Sequence, residues 1–187
     1  MATTELRITG LGGQGVILTG YIIGKAASIF NNQHATLTQS FGPEARGSAC
    51  SAQVIVSDDR VLYPYVANPY IMVAMSNEGY NKYKDTVTKN GIILYDSDLV
   101  QADSNHSNIN TFGVPATRFA EELGRKIVLN IVMLGFFGAI NEIIPKDALR
   151  KAVESSVPSG TEELNLKAFD KGFDFGAKLK KQNKVKA

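Results

Sequence analysis

The stretch Leu6-Arg7-Ile8-Thr9-Gly10-Leu11-Gly12-Gly13-Gln14-Gly15-Val16-Ile17-Leu18 constrains this chain more than any other. Its alternating, partly β-branched start predicts a strand, its glycines a tight turn, and the apolar run beyond them a helix. Gly10, Gly12 and Gly15 keep the G-x-G-x-x-G spacing in the strand–turn–helix context that gives the pattern meaning. Glycine reaches positive φ and lets a ligand approach the backbone without a Cβ in the way. The free N–H groups and positive end of the following helix then favour a phosphate or carboxylate. The same pattern also serves a tight β–α crossing with no ligand, in which glycine only lets helix and strand touch. On this stretch alone both readings stay open.

A chain of 187 residues can bury a core of its own, and a net charge of +2 gives no case for nucleic acid. Cys50 is the only cysteine, which excludes an internal disulfide and a cluster ligated by this chain's cysteines. With His34 and His106 as the only histidines, an internal zinc site is not expected. The N-terminus lacks a signal-peptide pattern, and Asn130, Asn141 and Glu142 interrupt the most apolar late stretch, so no membrane span is expected. The expected compartment is the cytoplasm.

Along the chain, residues 14–30 read as a helix apolar almost all round, and His34 to Phe41 as the second strand. Cys50 to Ser57 reads as a strong strand, with Ser57-Asp58-Asp59-Arg60 as a hairpin turn into Val61-Leu62-Tyr63. Further strands are expected at 70–75, 91–95 and 109–112. Helices are expected at 78–84, 115–123, 130–144, 146–153 and from Thr161 onward. The lysines at 178, 180, 181, 184 and 186 read as a solvated, frayed helix end. Strands alternating with helices predict an α/β fold, a three-layer α/β/α sandwich with a mostly parallel, Rossmann-like sheet and one antiparallel hairpin. No repeat or linker is evident, so residues 1–187 are read as one domain.

A second informative stretch, Ser40-Phe41-Gly42-Pro43-Glu44-Ala45-Arg46-Gly47, puts both charge signs into a short Gly-Pro turn. Loops at the carboxyl ends of strands are where α/β proteins bind ligands. A NAD site is not favoured, because the second strand ends Thr38-Gln39-Ser40-Phe41 without the acid that holds a ribose. Cys50 lies within a strand pattern and reads as a structural thiol. There is no Walker lysine after the glycines and no nucleophile elbow.

Taken together, residues 7–15 and 39–47 resemble the gamma subunit of the 2-oxoacid:ferredoxin oxidoreductases, the family of the pyruvate, 2-oxoglutarate and branched-chain oxoacid enzymes. The resemblance continues through Val54-Ile55-Val56-Ser57-Asp58, Tyr63-Pro64, Asn130-Ile131-Val132-Met133-Leu134-Gly135 and the late Asn165, Ala168, Phe169, Gly172 and Gly176. It implies a complex that splits a 2-oxoacid with thiamine diphosphate, reduces ferredoxin through iron–sulfur clusters and forms acyl-coenzyme A. Those cofactors would belong to the alpha, beta and delta subunits. This chain would supply interfaces and at most a wall of the coenzyme A or substrate channel, with 2-oxoglutarate or pyruvate as the substrate.

The candidate binding residues are Gly10, Gly12, Gly13, Gln14, Gly15, Ser40, Gly42, Pro43, Glu44, Arg46 and Gly47, expected together at the carboxyl edge of the sheet; no catalytic residue or metal ligand is assigned. The alternatives are a free-standing nucleotide- or acyl-coenzyme A-binding regulator and a NAD-dependent dehydrogenase. The apolar first helix and the Phe136-Phe137 pair predict surface covered by a partner, hence a homodimer when the chain is isolated and a larger hetero-oligomer in the cell.

Overall fold

The computed structural model describes residues 3–42, 47–103 and 108–185, with side chains described as far as residue 182. The strand β1 (Thr3–Leu11) lies at the centre, paired antiparallel with β3 (Ala49–Ser57) on one side and parallel with β4 (Ile71–Ala74) on the other. With β2 (His34–Phe41), β5 (Ile92–Asp96) and β6 (Asn110–Val114) it builds a six-stranded sheet ordered β2-β3-β1-β4-β5-β6. Only β3 runs against the rest, so the sheet is mixed but mostly of one direction.

The expected hairpin is placed elsewhere. Val61-Leu62-Tyr63 forms no strand, and the antiparallel partners of β3 are β2 and β1. The reason is tertiary: both edges of β3 are already paired, so a following strand has no side to join. Residues 58–70 instead form a loop, held by Val66. Its N–H donates to Gln53 Oε1 at 2.9 Å and its carbonyl accepts from Arg7 Nη2 at 2.6 Å.

Strand alternation sends Leu6, Ile8, Ala52, Val54 and Val73 to one face and Arg7, Thr9, Gln53 and Met72 to the other. The first face is covered by α1 (Val16–Phe30), α3 (Ala116–Glu122), α4 (Leu129–Ile140), α5 (Lys146–Glu154) and α6 (Glu162–Val185). The second carries α2 (Asn77–Tyr83), whose Tyr80 packs with Met72, Ala74 and Ile93. The three layers are therefore unequal.

Helix α4 is buried nearly all round because α6 crosses it with backbones almost touching. A Cβ at Gly135 would run into the Phe169 carbonyl, and one at Gly172 into the Val132 carbonyl. Phe136 and Phe137 are fully buried within the chain's own core, which corrects the expectation that they face a partner. The helix ends at Ile140, not at residue 144, because Asn141 turns its Nδ2 back onto the Phe137 carbonyl. Helix α6 continues through the first lysines of the tail to Val185, with Lys180 on Glu142 at 2.9 Å.

Candidate functional site

Between β1 and α1 the chain turns through Gly13 at φ 96° and Gly15 at φ 75°, both in the left-handed region where a side chain is strained. Gln14 braces the turn: Oε1 accepts the Leu11 N–H at 2.6 Å and Nε2 donates to the Met75 carbonyl at 2.8 Å. Gly10 leaves the room that Gln14, Val16 and Met75 fill. Gly15 caps α1 without a side-chain hydrogen bond, and the buried Asn130 packs where its Cβ would be.

The two glycine turns meet. The Gly12 N–H donates to the Ser48 carbonyl at 2.9 Å, and the Gly47 N–H donates back to the Gly12 carbonyl at 3.3 Å. Gly47, at φ 80°, and Gly13 face open space among the described residues, where a Cβ at either position would have no neighbour within 4 Å. This rim is the carboxyl end of β1, where Leu11 lies beside Ala49. Ser40 and Gly42 adjoin it at the end of β2. Pro43, Glu44 and Arg46 lie outside the described residues, as does His106.

A cavity opens on each side of the rim. One, of about 310 Å³ and mostly apolar, is lined by Gly13, Gly15, Leu18, Arg125, Ile127 and Asn130. The N-terminus of α1 and the Arg125 guanidinium give it a positive bias. The other, of about 350 Å³ and polar, is lined by Ser40, Gly42, Gly47, Ser51, Glu78 and Lys82. Ser51 is buried there, and its hydroxyl has no hydrogen-bond partner among the described residues. Arg125, Glu78 and Lys82 carry no motif, and only the tertiary fold brings α2 and the segment before α4 to the glycine turns; Ser51 lies within β3, where a strand pattern alone does not mark it. Cys50 is buried and its burial raises the thiol pKa, which fits a structural thiol. No helix among the described residues is long and apolar enough to cross a membrane.

Residues 5–175 match the family model described as pyruvate ferredoxin/flavodoxin oxidoreductase. The chain is 45% identical over 177 residues to the 2-oxoglutarate synthase subunit KorC of Methanocaldococcus jannaschii, covering 94% of this chain and 95% of that one. It is 33% identical over 179 residues to the ketoisovalerate oxidoreductase subunit VorA of Methanothermobacter marburgensis, covering 93% of this chain and 37% of that one. Among solved structures, the gamma subunit of a keto/oxoacid ferredoxin oxidoreductase from Geobacter sulfurreducens superposes with a TM-score of 0.81 at 39% identity, covering 92% of this chain and 98% of that one.

Proposed function

Since the chain belongs to the pyruvate ferredoxin/flavodoxin oxidoreductase family, as a gamma subunit of a 2-oxoacid:ferredoxin oxidoreductase, we propose that its complex works in the cytoplasm on 2-oxoglutarate and delivers the acyl group to coenzyme A. The gradient of identity carries the substrate assignment: 45% to a 2-oxoglutarate synthase subunit against 33% to a ketoisovalerate oxidoreductase subunit.

Within that complex the chain acts as one domain, and its glycine rim docks on the subunits that hold the reaction centre. Support comes from the bonded pair of turns and from Gly13 and Gly47, whose open backbone a partner segment or a coenzyme A phosphate can reach. A single buried cysteine does not fit a cysteine-ligated cluster, so the iron–sulfur clusters, like thiamine diphosphate, are assigned to the alpha, beta and delta partners. The residues of this chain position subunits and wall the channel; none of them is assigned a bond-breaking step.

The test is to co-purify the chain with its partner subunits and assay the complex with 2-oxoglutarate, pyruvate and the branched-chain oxoacid. Fastest turnover of 2-oxoglutarate is expected; preference for either of the others overturns the assignment. The variant Arg46→Ala, in the second glycine-containing stretch of the sequence, then separates docking from coenzyme A contact. Weakened subunit association with an unchanged KM for coenzyme A fits docking, whereas a raised KM in an intact complex makes that stretch a coenzyme A contact.

A further inference from the structure

We draw no further inference here: the strongest candidate, the exposed apolar patch of Leu62, Tyr63 and Tyr65 on the loop between β3 and β4, carries nothing, because nothing in the structure shows what covers it.

Discussion

The Arg7 guanidinium, at the middle of β1, donates from Nη2 to the carbonyl of Val66 at 2.6 Å and so ties the central strand to a loop outside the sheet. Arg7 is only 6% exposed, its guanidinium lies 4.4 Å from the centre of the Tyr83 ring, and burial lowers its pKa. The loop it holds displays Leu62, Tyr63 and Tyr65, the first of them 86% exposed. Replacing Arg7 with methionine leaves a buried carbonyl unpaired, which costs about 1–3 kcal/mol. The expected result is a lower thermal midpoint with faster amide hydrogen exchange across residues 61–66. Arg7→Lys should not restore either, since an ammonium supplies neither the planar fork nor the stacking. Wild-type exchange in that loop would show that the Arg7 contact does not hold it.

The α4–α6 crossing gives a second expectation. A methyl group at Gly172 meets the Val132 backbone, and one at Gly135 the Phe169 backbone, and backbone cannot rotate aside. Gly172→Ala and Gly135→Ala should each lose about 3 kcal/mol or more, the upper end of what overpacked cores lose. For a chain of this size that is roughly 2–4 °C in thermal midpoint per kcal/mol. At Gly13, where a Cβ meets nothing, alanine should cost only the left-handed backbone strain, about 1–2 kcal/mol. Calorimetry on the three variants orders them; equal losses would contradict the close crossing.

These glycines mark where reading the sequence stops. The β1–turn–α1 unit was legible because its signals are local: a strand period, then glycines, then a helical run. That the turns containing Gly12 and Gly47 would meet was also legible, from the rule that α/β folds gather loops at the carboxyl edge of the sheet. The tight crossing at Gly135 and Gly172 joins two helices distant in the chain, and no local pattern announces which apolar face meets which. Phe136 and Phe137 read as partner-facing for the same reason, because an apolar helix reads identically whether its own chain or a partner covers it. Val61-Leu62-Tyr63 has strand-like composition, and only knowledge that both sides of β3 were occupied would have ruled the strand out. Arg125 and Lys82 carry no motif and reach the rim by tertiary placement alone.

Asp96 gives the chain a pH signature. Its carboxylate, fully buried at the end of β5, accepts the Thr117 N–H at 3.1 Å, the Thr117 hydroxyl at 2.6 Å and the Asp98 N–H at 3.0 Å. Burial raises its pKa, and the hydrogen bonds oppose that only in part. A carboxyl whose pKa is higher in the folded state binds its proton more tightly there. Its contribution is therefore greatest below the unfolded pKa of about 3.9 and declines as pH rises through the folded value. Asp96→Asn removes this titration. In urea unfolding at successive pH values, the stability difference between variant and wild type should move in the variant's favour as pH rises above 4. A difference independent of pH would contradict the raised pKa.

Gln14 tests whether the glycine turn depends on its brace. Its amide accepts from Leu11 and donates to Met75, so it needs one acceptor and one donor in fixed places. Gln14→Glu keeps the acceptor but, once ionised, sets an oxygen against the Met75 carbonyl with no hydrogen between them. Protonation restores a donor, so this variant should be less stable at neutral pH than the wild type and recover part of the loss as pH falls through the carboxyl range. Gln14→Ala loses both bonds at every pH, for about 1–3 kcal/mol through the groups left unpaired. If both variants matched the wild type in stability while the assembled complex lost affinity for its subunits, the role of Gln14 would lie in contact with a partner and not in bracing the turn.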